Sequence, residues 1–401
     1  MPRRPLVIAI LAVLAAAALS VPLVLVFVVD RPAADAPSPT ASAEPRAAEP
    51  LRPDEIGWVF AAALFEGPAE TYSLQAGTLG EPAPILDLQV PFGVDANVAA
   101  WRRPAFGPVI DGTVVYVADD GAQTSVLRST IEPNPAVQQL AALDEIVYSI
   151  AVAPDGKHAY LALGDRADHE LDRGIVRVSL DGQGRQERIF DPAPGANHES
   201  VFSLAAVVGF HVDISMSMDG RHLIRYACAG LAGCGQQVID LETGAVTPFG
   251  ERRVLGVAGG IVLVQQCLAE CFFELIDLAS GAVHRLPGKQ WDATITLVGD
   301  RPRVVVVDDT QPDGAVLRAF DPADGAAREI FRAPPGKMVT LSAVSPDMRI
   351  GLPEGYLLVS LEAAEIGAIV ESRAIAVPLD GGQPVDISLP AFRPEFHGVQ
   401  G

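Results

Sequence analysis

The sequence predicts an all-β domain made of seven similar four-stranded units, placed behind an apolar N-terminal segment. A stretch of 16 residues recurs after 37 residues, and two kinds of turn separate short β-rich runs from Glu55 onward. No long run with helical periodicity interrupts these strands. Because 49% of the 401 residues are hydrophobic and only 20% are charged, the chain can build a large core and is not disordered as a whole.

The apolar segment runs from Pro5 to Val29 without a charge, and a helix of 25 residues is longer than the ~30 Å hydrocarbon core of a bilayer. Arg3 and Arg4 precede it, so the positive-inside rule places the N-terminus in the cytoplasm and the rest of the chain outside. We expect a single-pass signal-anchor helix in the cytoplasmic membrane. The alternative is a signal peptide cleaved near Ala18, although the apolar run continues past that position.

The chain around this helix divides into three further parts. Residues 1–4 form a cytoplasmic tip, and residues 30–53 form a Pro/Ala-rich linker that contains six prolines. Such a linker is semi-extended and holds a domain away from the bilayer. Residues 54–401 then form the extracytoplasmic domain.

One repeat defines the unit of this domain. Cys234–Phe249 reads CGQQVIDLETGAVTPF and Cys271–Leu286 reads CFFELIDLASGAVHRL, so Cys, Ile, Asp, Leu, Gly, Ala and Val occupy the same places in both. The Asp-x-x-x-Gly core recurs at Asp321–Gly325. In each copy a strand is predicted to run into a tight turn, where Asp accepts backbone hydrogen bonds and Gly takes positive φ.

A second type of turn precedes the first within each unit. It is found at Pro154–Lys157, Met218–Arg221 and Ser345–Arg349, and a hydrophobic run follows each copy. We interpret it as the connection between the first two strands, and the Asp-x-x-x-Gly turn as the connection between the last two. The resulting units are 56–88, 92–143, 147–190, 211–249, 253–287, 292–333 and 338–390.

Units of this size are typical of propeller blades. The Ser/Ala-Pro-Asp-Gly-Lys/Arg turn with its following strand, at residues 153–160 and 345–350, resembles TolB-like and Trp-Asp-repeat-like β-propellers, although Met348 replaces the glycine in the second copy. The resemblance implies a seven-bladed β-propeller of four-stranded antiparallel blades; six or eight blades, or another β-fold, are the alternatives. The first unit has no clear innermost strand, which we expect Phe392–Val399 to supply.

The sequence contains no local catalytic motif among those that we considered. It contains no Gly-x-Ser-x-Gly, no phosphate-binding glycine-rich loop and no His-Glu-x-x-His, and we name no catalytic, cofactor-binding or metal-ligating residue. Acidic clusters at Asp119–Asp120, Asp165–Asp172 and Asp308–Gly314 are interpreted as solvated hairpin tips. A Ca²⁺ site at the second cluster is the alternative.

The formal net charge of −21 argues against a nucleic-acid partner. We expect a non-catalytic binding or scaffold module for an envelope protein or a cell-wall polymer. A propeller-type hydrolase or lyase acting on an extracytoplasmic sugar or peptide, with a site assembled from several blades, is the alternative. The longest connection between units, Asp191–Phe210, carries His198 and Glu199 and is expected beside the central channel.

The four cysteines occupy repeated positions. The first of each pair, Cys228 or Cys267, lies eight residues after a glycine of the turn between the first two strands. The second, Cys234 or Cys271, lies six residues before the Asp of the Asp-x-x-x-Gly turn. Each pair therefore flanks a hairpin tip, where facing side chains come within bridging distance. We predict the disulfides Cys228–Cys234 and Cys267–Cys271, which an oxidising compartment permits. A four-cysteine zinc site and the other pairings are the alternatives.

Overall fold

The computed structural model describes residues 51–387 of the chain, except 53, 55, 64–70, 80–82, 94–103, 168–170, 193–210, 229–233, 251, 268–270, 287–291, 310, 312, 324, 342–347 and 366–367. The predicted membrane segment 5–29 and the tail 388–401 lie outside these residues. The linker 30–53 also lies outside them, except for residues 51 and 52. Within the described part of the chain, no helix combines the length and the apolar character that crossing a membrane requires.

The described residues form seven antiparallel sheets, which we number as blades 1–7 in chain order. The strands of blades 1–3 are β1 (Gly57–Ala63), β2 (Thr71–Thr78), β3 (Leu86–Pro91), β4 (Thr113–Asp119), β5 (Thr124–Thr130), β6 (Val137–Leu143), β7 (Ile146–Val152), β8 (His158–Gly164), β9 (Asp172–Ser179) and β10 (Gln186–Phe190). Those of blades 4–5 are β11 (His211–Met216), β12 (His222–Cys228), β13 (Cys234–Asp240), β14 (Val246–Gly250), β15 (Arg253–Ala258), β16 (Ile261–Cys267), β17 (Cys271–Asp277) and β18 (Val283–Arg285). The remaining strands are β19 (Asp292–Val298), β20 (Arg301–Asp308), β21 (Val316–Phe320), β22 (Ala327–Arg332), β23 (Met338–Thr340), β24 (Met348–Ile350), β25 (Tyr356–Glu365), β26 (Ala368–Pro378) and β27 (Val385–Ile387).

The strand order agrees with the predicted blades. Blades 3–6 each contain four consecutive strands, ordered from the innermost to the outermost, and their bounds lie within two residues of the predicted units. Blade 2 has the three strands β4, β5 and β6, and a bridge between Phe106 and Tyr116 stands where the innermost strand belongs. The structure is therefore a seven-bladed β-propeller, as the sequence predicts.

Among the described residues, the core consists of six apolar layers, each shared by two consecutive blades. Strand β20 shows how one strand serves two layers. Its residues Val304 and Val306 pack towards blade 5, whereas Val305 and Val307 pack towards blade 7. All four are at most 1% exposed, because successive side chains of a strand point to opposite faces and both faces of this sheet are covered.

The turns have the chemistry that the sequence predicts. In the Asp-x-x-x-Gly turns, Asp240 Oδ1 accepts hydrogen bonds from the backbone N–H groups of Glu242 and Thr243 at 2.9 and 2.8 Å. Asp277 Oδ1 repeats the arrangement in blade 5, at 2.9 and 2.8 Å. The following glycine, Gly244 or Gly281, has φ of 72° or 70°, a conformation that residues with a Cβ rarely adopt.

The innermost strand of blade 1 comes from an unexpected part of the chain. Strand β24 occupies this position and pairs antiparallel with β1, so that Trp58 faces Ile350 and Phe60 faces Met348. The prediction that Phe392–Val399 supplies this strand is wrong. The chain enters β24 on its way from β23 to β25 in blade 7, which means that an internal segment of the last blade completes the first.

The same finding corrects one predicted turn. The sequence placed Ser345–Arg349 between the first two strands of the last unit, but Met348 and Arg349 belong to β24. The strand that pairs with β23 starts only at Tyr356, after a turn in which the Tyr356 N–H donates to the Pro353 carbonyl at 3.4 Å and Gly355 has φ of 85°. Met348 cannot take the place of a positive-φ glycine, and extended backbone suits it.

Ring closure requires a glycine at position 57. Gly351 N–H donates to the Gly57 carbonyl at 2.9 Å, and a Cβ at position 57 would lie 2.6 Å from Cβ of Val109 in the next blade. We expect Gly57→Ala to destabilise the fold by about 1–3 kcal/mol, because Val109 would have to move away from the closed seam. Urea denaturation measures this change.

Gly235→Ala is the matched control for this prediction. Gly235 is also a strand glycine, but a Cβ there would meet nothing within 4 Å. The control variant should retain the stability of the parent protein to within about 0.5 kcal/mol. Equal stability of the two variants would contradict the proposed constraint at Gly57.

Candidate functional site: the tip face

The blades expose two chemically different ends. One end, which we call the tip face, consists of the hairpins between the two middle strands of each blade and of the connections between blades. The two repeated turn types form the opposite end, the turn face. The acidic clusters and all four cysteines lie on the tip face, whereas the turn-associated histidines His158 and His222 begin their strands at the turn face.

An arginine links the tips of blades 2 and 3. Arg166 Nη1 lies 3.0 Å from Asp119 Oδ1, and its Nη2 donates to Thr124 Oγ1 at 2.8 Å. Its Nε donates to the Asp144 carbonyl at 3.0 Å. The Asp119 side chain is 1% exposed and that of Arg166 is 23% exposed. The interpretation of the acidic clusters as solvated tips is therefore wrong at Asp119, which is buried, and at Arg166, which docks on the neighbouring blade.

A second arginine links blades 3 and 4. Arg225 Nη2 donates to Asp172 Oδ2, and the two side chains are 8% and 9% exposed. Nη1 donates to Gln237 Oε1 at 3.2 Å, and the guanidinium lies 4.9 Å from the ring centre of Phe190. Burial lowers the pKa of Arg225, and the Asp172 carboxylate opposes this shift. The pair is a desolvated contact between blades, and its charges are not available to solvent.

The tips of blades 5 and 6 are fixed by other means. In blade 5 a disulfide joins Cys267 and Cys271, which agrees with the predicted pairing and excludes a zinc site that uses them. In blade 4, Cys228 and Cys234 are directly opposite each other in the register, but their side chains lie outside the described residues. In blade 6, Asp308 accepts a hydrogen bond from Gln311 Nε2 at 3.1 Å.

Other predicted features fall partly outside the described residues. The connection Asp191–Phe210 is described only at its first two residues, so His198 and Glu199 lie outside. Within the described ranges no three His, Cys, Asp or Glu side chains are grouped as metal ligands. The sequence interpretation missed the buried roles of Arg166 and Arg225. A signal existed for Arg225, because it stands in the middle of the hydrophobic run HLIRYA, where a strand is buried on both faces.

The turn face holds a separate polar cluster around Asp219 of blade 4. Burial opposes ionisation of Asp219, but the His222 imidazole 3.7 Å away, the Ser217 hydroxyl and two backbone N–H groups hold the pKa of this carboxyl well below its ordinary value. One of those groups is Gly259 N–H of blade 5, which donates to Asp219 Oδ2 at 2.9 Å. The carboxylate therefore couples blades 4 and 5.

Comparisons with known proteins give similarity of structure without similarity of sequence. No protein-family model matches the chain, and no curated protein matches its sequence. TolB from Acinetobacter baumannii is similar at 14% identity over 69% of this chain and 64% of that chain, with a TM-score of 0.38. Oligopeptidase B from Leishmania major is similar at 11% identity over 85% and 49%, with a TM-score of 0.47.

A third solved structure extends these comparisons. Dipeptidyl peptidase 4 from Porphyromonas gingivalis is similar at 10% identity over 84% of this chain and 51% of that chain, with a TM-score of 0.47. The chain thus spans about half the length of the two peptidases and 64% of TolB. The propeller fold is defined by the seven sheets of this chain.

The first prediction for this site concerns Arg166. Arg166→Ala removes the guanidinium that lies against the buried Asp119 carboxylate, and we expect a loss of about 2 kcal/mol in the free energy of unfolding. Arg185→Ala is the control, because the Arg185–Asp181 pair is exposed, at 69% and 36%. Exposed pairs contribute about 0–1 kcal/mol. If the two variants are equally stable in urea denaturation, the Arg166 contact does not hold the tips together.

The second prediction concerns the cysteines of blade 4. Repeat equivalence with Cys267–Cys271 predicts a Cys228–Cys234 disulfide in the protein isolated without reductant. Peptide mapping under non-reducing conditions should recover both local pairs. Free thiols at 228 and 234, bound zinc, or a link between blades 4 and 5 would each contradict the pairing.

The third prediction concerns the pH dependence of stability. Because the pKa of Asp219 is lowered on folding, its stabilising contribution is present above the unfolded value of about 4 and is lost as the pH falls below it. We expect Asp219→Asn to be about 1–3 kcal/mol less stable at pH 7 and to approach the parent protein in stability near pH 2. A difference that stays constant between pH 7 and pH 2 would show that the charge is not responsible.

Proposed function

We propose that this protein is a non-catalytic binding or scaffold module, anchored in the cytoplasmic membrane through residues 5–29, whose tip face contacts an envelope protein or a cell-wall polymer. The observation that carries the proposal is the way the tips are fixed. The charged pairs Asp119–Arg166 and Asp172–Arg225 and the disulfide Cys267–Cys271 hold hairpins in place at the end of an already complete core.

Rigid tips favour a binding role for a physical reason. The six shared layers bury the apolar residues of the blades without help from the hairpin ends. Desolvated ion pairs add little stability compared with apolar packing, so their main effect here is to fix geometry. A surface that is already ordered loses less conformational entropy when a partner binds, and binding surfaces are commonly loops held by a rigid scaffold.

The buried tip carboxylates also favour binding over catalysis. A general acid or base must reach its substrate, whereas Asp119 and Asp172 each face an arginine and are almost fully covered. The membrane anchor is supported by the sequence alone, through the uncharged run and the two arginines before it. Together these features support a propeller displayed outside the membrane for contact with a macromolecule.

The experiment places a photo-crosslinking amino acid at one exposed residue of each face in the full-length chain, expressed in its own cell envelope. Ala167 on the tip face and Ser280 on the turn face are both exposed and serve as a matched pair. We expect a discrete crosslinked product from position 167 and none from position 280. Crosslinking from position 280 alone would contradict the choice of face.

Two controls test the rest of the proposal. Protease added to intact spheroplasts should digest the propeller; protection until lysis would contradict the proposed topology, and a mature N-terminus near residue 18 would contradict the anchor. The detergent-solubilised chain should release no product from a panel of sugar and peptide substrates. Turnover in that panel would instead establish the hydrolase or lyase alternative.

A further inference from the structure

A cavity lies on the turn face, at the seam between blades 2 and 3. It has about 280 Å³ of empty space, its open mouth included. Three polar residues, Asp111, Thr113 and Arg128, line it together with apolar residues of both blades. The apolar wall includes Ile110, Val115, Val152 and Leu180. A few convergent polar groups set in an apolar wall are typical of small-molecule sites.

Arg128 is a half-buried cation that has no carboxylate partner among the described residues. Its Nε donates to Thr113 Oγ1 at 3.3 Å, and its Nη1 donates to the Leu180 carbonyl of blade 3 at 3.2 Å. Arg166 and Arg225, in contrast, each pair with an aspartate. A guanidinium that is partly removed from water without a counter-charge is unfavourable, and its remaining N–H groups suit a planar carboxylate. This side of the cavity therefore favours an anionic group.

Asp111 has a backbone conformation that residues with a Cβ rarely adopt. Its φ is 48°, and no other non-glycine residue within the described ranges has positive φ. In the two-residue turn of blade 5, Gly259 occupies the equivalent place with φ of 55°, so that glycine forms this turn without strain. The turn itself therefore does not require aspartate at position 111. Residues held in strained conformations cluster at functional sites.

The Asp111 carboxylate does not have the structural role of its counterparts. In the corresponding turns of blades 3 and 4, Asp155 Oδ1 and Asp219 Oδ1 accept hydrogen bonds from the backbone N–H two residues later, at 2.9 and 3.0 Å. Asp111 accepts no such bond in the part of the chain that the structure describes. Its Oδ2 instead lies over Gly156 of blade 3, 3.9 Å from the position that a Cβ would take there. The carboxylate is thus available to a ligand in the cavity.

We propose that this cavity binds a small α-amino acid, whose carboxylate accepts hydrogen bonds from Arg128 and whose ammonium group donates to Asp111. The two residues line one cavity without forming an ion pair with each other, so they match the two charges of a zwitterion. The limited space and the apolar wall restrict the ligand to the size of glycine or alanine. The site is separate from the tip face, and the inference does not depend on the proposed binding role.

The test measures the binding of glycine to the full-length chain in detergent by saturation-transfer NMR. Acetate lacks only the ammonium group of glycine, and methylamine lacks only its carboxylate, so the two analogues isolate the two contacts. We expect saturable glycine binding with a Kd of about 1 mM and at least about five-fold weaker binding of each analogue. Absence of saturable glycine binding up to about 50 mM would overturn the proposal. Acetate binding as tight as that of glycine would also overturn it.

The variant Asp111→Gly separates binding from folding. It removes the carboxylate and relieves the positive-φ strain, so its melting temperature should equal or exceed that of the parent protein. Its glycine affinity should fall at least about ten-fold, whereas its acetate affinity should stay the same because acetate uses only Arg128. A purely structural role of Asp111 would leave glycine binding unchanged, and that result would overturn the proposal.

The variant Arg128→Gln tests the other contact. It keeps a side-chain donor near the Leu180 carbonyl but removes the charge, and it should reduce the affinity for both glycine and acetate at least about ten-fold. Should this variant fail to fold, Asp111→Gly decides the outcome.

Two matched controls come from other turns of the same face. Asp300→Asn changes an exposed aspartate in the turn of blade 6, and Arg221→Gln changes an arginine of blade 4 that is 61% exposed. Both should bind glycine like the parent protein. If these controls weaken glycine binding as much as Asp111→Gly and Arg128→Gln do, the effect is one of overall charge and the assignment to the cavity is wrong.

Discussion

The fold depends on the need of every blade to cover both faces of its sheet. Six apolar layers between consecutive blades meet this need from blade 1 to blade 7. The last step is made by β24, a three-residue strand that leaves blade 7 and pairs with β1 of blade 1. The Gly351–Gly57 hydrogen bond at 2.9 Å and the Arg349 guanidinium, 5.4 Å from the ring centre of Phe106, reinforce it. The three-residue pairing between β24 and β1 thus connects blade 7 with blade 1 and closes the ring of blades.

The two ends of the propeller differ in chemistry. On the turn face, Asp and Gly form the same type of turn in several blades, as at Asp240 and Asp277. The tips that the structure describes use different devices, such as the Arg166–Asp119 pair and the Cys267–Cys271 disulfide. Uniform turns serve the architecture, whereas the individual tips are the part of the fold on which the proposed binding role rests.

The sequence predicted those parts of the structure that depend on local chemistry. Blade boundaries and the Asp-x-x-x-Gly turns follow from residues within a few positions of each other, and so does the Cys267–Cys271 pairing. The sequence did not predict contacts between residues that lie far apart along the chain. Arg166 and Asp119 are 47 residues apart, and nothing near either residue marks the other as its partner. Likewise Met348–Ile350 is too short to be recognised as a strand, and its partner Trp58 lies at the opposite end of the domain.

The most direct test of this account is a cysteine pair across the closing seam. Phe60 and Met348 are directly opposite each other between β1 and β24, a geometry that a disulfide can span. The double variant Phe60→Cys/Met348→Cys should form the 60–348 disulfide in the oxidised protein, as detected by non-reducing peptide mapping, and should melt at a higher temperature than its reduced form. Two free thiols at these positions, with the other cysteines paired as in the parent protein, would contradict closure of the ring by β24.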